Sequence, residues 1–122
     1  MYVSGIAIGQ WNQICKRREG KRRTIYKIAR AISLGTVSHV FNSNDYIVRY
    51  HDINLLVDRT GCVMVVWRDR SRPLVKIDEK IKAIFDAFYS YREALGMANE
   101  IHKEIQDEIR RVRAEQRGES VA

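Results

Sequence analysis

The sequence predicts an α+β fold: a small antiparallel sheet of about four strands packed against a long C-terminal α-helix. Between residues 36 and 68, runs rich in β-branched and aromatic residues alternate with turn-forming residues, as in successive strands. In the last third, apolar residues recur at alternating steps of four and three, which is typical of one face of a long helix. A second, short helix is predicted near residues 22–34.

The chain therefore divides into three parts. Residues 1–76 are predicted to form a basic, β-rich domain that includes the short helix. Residues 77–117 are predicted to form the long amphipathic helix, and residues 118–122 a frayed tail.

The first residues, 2–8, are predicted to form a short strand. Ile6 and Ile8 would lie on one face of this strand, which Gly5 interrupts. Gly9 permits a turn, and Trp11 is expected to pack back on the core.

Residues 16–23 hold six basic side chains around Glu19 and Gly20, and two structures are compatible with them. In a hairpin, Glu19-Gly20 would be the turn, but like charges would then lie opposite one another. In the second structure Gly20 is a break and a helix begins near Arg22. The helix is favoured by the helical spacing of the apolar residues Ile25, Ile28, Ala29 and Ile32. It is also favoured by Gly35, which stands where a C-terminal cap is expected. The β-branched residues keep the hairpin open as an alternative.

Four strand-like runs follow, at residues 36–42, 46–50, 53–57 and 62–67. The last two surround Asp58-Arg59-Thr60-Gly61 and predict a β-hairpin with a short loop that ends in glycine. Both runs are nearly continuous in apolar residues, so both of their faces are expected to be covered. Pro73 marks the end of the sheet.

The long helix carries one apolar seam over about five heptads. Its positions are Ile77, Ile81, Ile84, Phe88, Tyr91, Leu95, Ala98, His102, Ile105, Ile109 and Val112. Asp78 and Glu79 suit the start of a helix. Gly96 costs a helix roughly 1 kcal/mol relative to alanine, which makes it the expected place of a bend or of a helical hairpin.

The two halves of the seam differ. Residues 77–95 include Phe85 and Phe88, a broad apolar face that is predicted to cover the sheet. Residues 98–112 have a narrower, coiled-coil-like seam, which predicts contact with a partner or a homodimer through the C-terminal helix. The predicted contact residues are Ile101, Ile105, Ile109 and Val112. His102 is expected at the edge of this seam with its ring half exposed.

Charge is unevenly distributed along the chain. The 122 residues carry a net charge of +7, but residues 1–76 hold +9 and residues 77–122 hold −2. A basic balance favours nucleic acid or another anionic surface as a partner. Two cysteines are too few for a disulfide scaffold, and no membrane span or convincing signal peptide is found, so a cytoplasmic protein is expected.

The basic stretch is the strongest functional signal. Arginine forks match phosphate geometry, and clustered cations release counterions from a polyanion. The predicted contact residues are Lys16, Arg17, Arg18, Lys21, Arg22, Arg23, Lys27 and Arg30. Further cations that would add to this surface are Arg49, Arg68, Arg70 and Arg72. If exposed, Trp11, Tyr26, Tyr46 or Tyr50 could stack on bases. A solvated loop and an acidic protein surface as partner are the alternatives.

Signals for chemistry are weak. His39, His51, Cys15 and Cys62 are widely spaced, so neither a metal nor a cofactor is predicted. His51 and Asp52 are adjacent, but neighbouring strand positions point to opposite faces. We therefore predict a non-enzymatic protein that contacts DNA, RNA or a nucleoprotein complex. The alternative is a regulator or inhibitor, of the kind that phages and mobile elements encode, that docks on and blocks a larger host complex; a small nuclease is the least favoured.

Overall fold

The structure, a computed structural model, describes residues 1–118 and contains five strands and four helices within them. In chain order these are β1 Tyr2–Val3, α1 Gly5–Cys15, α2 Lys21–Leu34, β2 Thr36–Val40, β3 Tyr46–Tyr50, β4 Ile53–Val57, β5 Cys62–Arg68, α3 Glu79–Phe88 and α4 Tyr91–Gln116. The predicted α+β class, the helix near 22–34 and the β4–β5 hairpin are confirmed. Apart from Gly118, the predicted tail lies outside the described residues.

The strands form one mixed sheet in the order β1-β5-β4-β3-β2. Strands β2 to β5 are antiparallel neighbours, as predicted. The fifth strand, β1, is an unexpected member of this sheet and pairs with β5 in parallel, with Tyr2 opposite Cys62. The sheet therefore has β1 and β2 as its two edges.

The predicted strand over residues 2–8 is wrong beyond Val3. Ser4 caps the N-terminus of α1, because its hydroxyl accepts a hydrogen bond from the Ala7 N–H at 3.0 Å. Ala7 and Trp11, four residues apart, are the buried positions of this helix, whereas Ile6 is 66% exposed. The alternation of Ile6 and Ile8 suggested a strand, but the cap and the four-residue spacing decide for a helix.

Helix α2 begins directly after Gly20, so the hairpin alternative for residues 16–30 is wrong. Its C-terminus abuts the sheet at Gly35. A Cβ atom at Gly35 would lie only 2.7 Å from the Ala31 carbonyl oxygen and 2.7 Å from Cγ1 of Val48. Glycine is therefore required there by close approach, although its backbone is extended.

The core lies between the sheet and the helices. Helix α2 packs along α4 and contacts β3, while α1 packs on β5. The fully buried core includes Ile28, Ala29 and Ala31 of α2, Tyr46, Leu55, Val57 and Val63 of the sheet, and Ala94 and Ala98 of α4. Burying a Val, Leu or Ile side chain contributes about 1.5–3 kcal/mol, so this layer supplies most of the driving force for folding.

The other face of the sheet is only partly covered, contrary to expectation. Strand β4 is largely buried, but Met64 and Trp67 of β5 are 43% and 37% exposed. The segment between β5 and α3 crosses one end of this face and is held by Arg49. This guanidinium is 3% exposed and donates to the backbone carbonyls of Asp69, Arg72 and Pro73 at 2.8–3.2 Å.

The predicted long C-terminal helix is confirmed as α4, but it begins at Tyr91 and not near residue 77, because a separate helix, α3, occupies residues 79–88. Tyr89 ends α3 with extended backbone angles, and Ser90 begins α4 through a capping box with Glu93. The helical hairpin considered at Gly96 does not form, because α4 continues through this residue. The helix is therefore interrupted at Tyr89 and Ser90, where the capping hydrogen bonds form, and not at Gly96, where only the helix propensity is weak.

The two halves of the seam also divide differently from the prediction. In α3 only Phe85 is buried, and Ile81, Ile84 and Phe88 are 49%, 58% and 72% exposed. In the second half of α4, Ile109 is only 8% exposed. Helix α4 packs on α2 and also contacts the sheet directly through His102 and Tyr46, whereas α3 projects most of its apolar side chains outward.

Replacing Gly96 by alanine is expected to raise the free energy of unfolding by about 1 kcal/mol, because alanine is the better helix former. A Cβ atom at this position meets no atom within 4 Å. The measurement is urea unfolding followed by circular dichroism. Gly35→Ala is the matched control and should destabilise, since its Cβ meets backbone at 2.7 Å. Destabilisation by Gly96→Ala would contradict a continuous α4.

Candidate nucleic-acid interface

The connection between α1 and α2 carries the exposed part of the basic stretch. Lys16 ends α1 in the left-handed region, with φ 52°, and its N–H closes the helix onto Asn12 and Gln13. The chain then runs through residues 17–20 to the start of α2. Six of the eight predicted side chains are exposed around this connection, and we call them the basic surface: Lys16, Arg17, Arg18, Lys21, Arg22 and Arg23.

The first turn of α2 adds to the positive potential. Its N-cap, Gly20, has no side chain to accept from the free N–H groups, and the turn has no acidic residue. The helix dipole places a partial positive charge at this end, where cationic side chains are unfavourable. Lys21, Arg22 and Arg23 occupy this turn nevertheless, so the arrangement gains stability from an added anion.

The other two predicted residues, Lys27 and Arg30, are committed to internal ion pairs. Lys27 Nζ lies 2.6 Å from Glu19, and Arg30 lies 2.7 Å from Asp86. Their side chains are only 14% and 13% exposed. The hydrogen bond from Lys27 lowers the pKa of Glu19. The structure thus separates these two residues from the six of the basic surface.

A cleft of about 650 Å³ lies between the first turn of α2 and the α3–α4 junction. It is lined by Gly20, Arg22, Arg23, Tyr26, Asp86, Tyr89 and Tyr91. On its floor, the Tyr26 hydroxyl lies 2.8 Å from Oδ1 of Asp86 and 3.2 Å from the Tyr89 carbonyl oxygen. Arg30 donates to both carboxylate oxygens of Asp86, at 2.9 and 2.7 Å.

The groups on the floor of the cleft shift each other's pKa values. Burial opposes ionisation of Asp86, but hydrogen bonds from Tyr26 and Arg30 outweigh it and hold the pKa of Asp86 below its ordinary value. Burial and the hydrogen bond to Asp86 raise the pKa of Tyr26 to about 12. At neutral pH the Asp86 carboxylate is therefore charged and already paired.

Two arginine–aromatic contacts form the walls of the cleft. The Arg22 guanidinium carbon lies 4.4 Å from the centroid of the Tyr91 ring, and that of Arg23 lies 5.6 Å from the Tyr26 ring. Tyr91 is the first residue of α4, directly after the Ser90 cap. The ring is half-buried, so part of it remains in contact with solvent.

The additional cations named from the sequence are engaged elsewhere. Arg49 is buried, and Arg68 and Arg70 lie 3.1 and 3.6 Å from the Asp52 carboxylate. Arg72 lies 3.8 Å from Asp69. None of these contacts belongs to the α1–α2 connection.

The aromatic rings expected as stacking platforms are all buried. Trp11, Tyr26, Tyr46 and Tyr50 are each at most 7% exposed. The rings that line the cleft beside Tyr26 are instead Tyr89 and Tyr91, which sequence reasoning missed. Tyr91 falls on the apolar seam, and this position suggested a core residue. The Ser90-to-Glu93 capping spacing is the signal that would have placed both tyrosines at a helix junction.

The predicted partner-contact residues of α4 are only partly accessible. Ile109 is buried in the chain, while Ile101, Ile105 and Val112 are half-buried. The homodimer through this helix remains a prediction.

Both ring nitrogens of His102 have partners. Nδ1 lies 2.7 Å from the Tyr46 hydroxyl, and Nε2 lies 3.0 Å from the Arg59 carbonyl oxygen. Because a carbonyl only accepts, Nε2 donates and Nδ1 accepts from Tyr46. His102 is half-buried, as expected, and in addition ties α4 to the β4–β5 turn.

Among residues 1–118, no group of three or more His, Cys, Asp or Glu side chains is placed to hold a metal ion. Asp52 faces Arg68, and the His51 backbone pairs with Val75. Within the same residues, no helix combines the length and apolarity needed to cross a bilayer. Comparison with protein families, curated proteins and solved structures finds no match to this chain.

Asp86→Asn is expected to lower the free energy of unfolding by about 1 kcal/mol at neutral pH, since it removes a partly solvated ion pair. The folded pKa of Asp86 is depressed, so its contribution is complete above the unfolded pKa of about 3.9. It disappears as pH falls through the folded pKa. The difference between wild type and variant should therefore vanish in acid, measured by urea unfolding at several pH values.

The matched control is Asp107→Asn, which removes an exposed pair with Arg110. This change is expected to stay within about 0.5 kcal/mol of wild type at every pH. An Asp86→Asn effect that is equally small at neutral pH would contradict a stabilising role for the cleft floor.

Proposed function

We propose that this protein is a small, non-enzymatic protein that contacts nucleic acid, alone or within a nucleoprotein complex, through the basic surface. One observation carries the proposal. Six exposed cations surround a helix N-terminus that has no acidic side chain in its first turn. The two nearest acidic groups, Glu19 and Asp86, are already held by Lys27 and Arg30.

The physical argument is one of unbalanced charge. Six like charges on the connection and the first turn of α2 repel each other, and within residues 1–118 only Arg17 lies near a carboxylate, that of Glu19 at 3.8 Å. The positive end of the α2 dipole adds to this repulsion. A phosphate backbone relieves the repulsion and releases its own condensed counterions. Residues 77–122 carry a net charge of −2, so the positive balance of the chain comes from residues 1–76, which include the basic surface.

Neutralising Arg17 and Arg18 together, as Arg17→Gln/Arg18→Gln, is expected to weaken binding of a DNA or RNA duplex. It should also reduce the slope of log K against log salt by up to about 0.9 for each phosphate that the variant no longer neutralises. The measurement is fluorescence anisotropy over a salt series.

The matched control removes two cations from α4, as Lys103→Gln/Arg110→Gln. Both positions are exposed, and the helix rise of about 1.5 Å per residue places Lys103 roughly 18 Å along α4 from Tyr91. This control changes net charge equally but should leave the salt slope unchanged. Absence of binding by wild type at low salt, or equally weakened binding by both double variants, would refute a localised interface.

A second function, docking on a larger protein complex as a regulator or inhibitor, is favoured by the outward face of α3. Ile81, Ile84 and Phe88 are each about half exposed or more. Ile81 and Ile84 line a shallow groove of about 240 Å³ together with Leu34, Met97 and Ile101, and Phe88 follows Ile84 by one helical turn. Exposed apolar side chains in such a contiguous group are characteristic of protein interaction surfaces.

Ile84→Ser/Phe88→Ser is the variant that tests docking. A specific partner retained by immobilised wild-type protein should not be retained by this variant, because its apolar anchor is removed. Quantitative affinity capture checks this, with Lys103→Gln/Arg110→Gln as a surface control that should retain the partner. Identical sets of captured proteins for wild type and the Ser variant would exclude docking through α3.

A further inference from the structure

The cleft between α2 and the α3–α4 junction has features that contact with a duplex backbone does not require. We propose that it binds one nucleotide of a single-stranded nucleic acid, with the base stacked on Tyr91 and its phosphate between Arg22 and Arg23. This inference rests on the proposed function and specifies which form of nucleic acid the protein prefers.

The size and lining of the cleft fit this ligand. Its volume of about 650 Å³ lies within the range of small-molecule sites, about 300–1,000 Å³. Tyr89 and Tyr91 supply aromatic surface, and Arg22 and Arg23 supply positive charge beside it. A nucleotide has the same division into a flat ring and an anionic group.

The face of Tyr91 already holds a planar cation. The Arg22 guanidinium lies over this ring at 4.4 Å, so a flat group already stacks on this face. A phosphate would draw the Arg22 fork toward itself, because a charge-assisted bidentate contact is stronger than an exposed cation–π contact. The vacated ring face is then available to a base, and every base has a π-face that can stack there.

The acidic residue in the cleft does not oppose this ligand. Asp86 is held by both Nη1 contacts of Arg30 and by the Tyr26 hydroxyl. The negative charge of Asp86 is therefore compensated within the floor. The remaining charges, those of Arg22 and Arg23, make the net charge of the cleft positive. The free N–H groups of the first turn of α2 face the same end and favour an anion.

The backbone that carries the stacking ring is fixed before any ligand binds. Tyr91 begins α4 immediately after Ser90, whose side chain accepts from the Glu93 N–H in the capping box. Tyr89 ends α3, and its N–H donates to the Phe85 carbonyl at 2.9 Å. Both tyrosines thus stand on helix termini, and little ordering of the backbone remains to oppose binding.

The geometry selects single strands over duplexes. In a duplex, both faces of each base are covered by neighbouring bases, and a ring can reach one only after unstacking. In a single strand the base can unstack from its neighbours and stack on the Tyr91 ring. The phosphate contacts of the basic surface serve both forms, so Tyr91 provides the discrimination.

The test compares Tyr91→Leu, which removes the ring, with Tyr91→Phe, which keeps it. The probes are a fluorescent oligothymidylate and a duplex with the same number of phosphates, and the readout is anisotropy at fixed low salt. Tyr91→Leu should weaken single-strand binding about tenfold and change duplex binding by less than about twofold. Tyr91→Phe should bind both probes as wild type does. Tyr2→Leu, at an exposed tyrosine of strand β1, is the matched control and should also behave as wild type.

Retained duplex binding by Tyr91→Leu shows that this variant is folded. Equal single-strand affinity of Tyr91→Leu and wild type overturns the inference, as does a Tyr91→Phe variant that binds as weakly as Tyr91→Leu. If Arg17→Gln/Arg18→Gln weakens both probes while Tyr91→Leu weakens neither, the cleft inference fails and the proposed function stands. No binding of either probe by wild type at low salt refutes both.

Discussion

The packing of α2 against both α4 and the sheet determines where the other elements lie. Ala29 of α2 and Ala94 and Ala98 of α4 have no exposed surface, and such small residues allow two helices to approach closely. With α4 seated on α2, α1 occupies the remaining surface over β5. Helix α3 packs mainly through Phe85 and leaves its other apolar side chains in solvent.

The same packing produces the candidate site. The central part of α2 is buried, so only its first turn projects, and that turn carries cations without an acidic cap. Tyr26 and Arg30, further along the helix, reach Asp86 of α3 and bring the α3–α4 junction next to this turn. The ion pair that joins α2 to α3 therefore also builds the floor of the cleft.

The location of the site could be predicted from the basic stretch, but its composition could not. Spacing and charge point to eight cations, and the structure leaves six of them exposed. Lys27 and Arg30 pair with Glu19 and Asp86 instead, and Asp86 lies 56 residues from Arg30 in the chain. A pair at such a distance leaves no local pattern, and for the same reason the proximity of Tyr91 to Arg22 could not be foreseen.

Local patterns by themselves determined most of the elements: helix α2, the β4–β5 hairpin, the antiparallel order of β2 to β5 and the α+β class. Turn residues and apolar period act over a few positions, so they can be read from the chain directly. The helix caps at Ser4 and Ser90 are also local sequence signals, but the apolar alternation at residues 2–8 and the long apolar seam predicted other structures. Only the tertiary structure decided that β1 joins β5, that α3 faces solvent and that α4 buries Ile109. An apolar seam predicts that one face of a helix is to be covered. Which of these faces is buried depends on the packing of elements that are distant in the sequence.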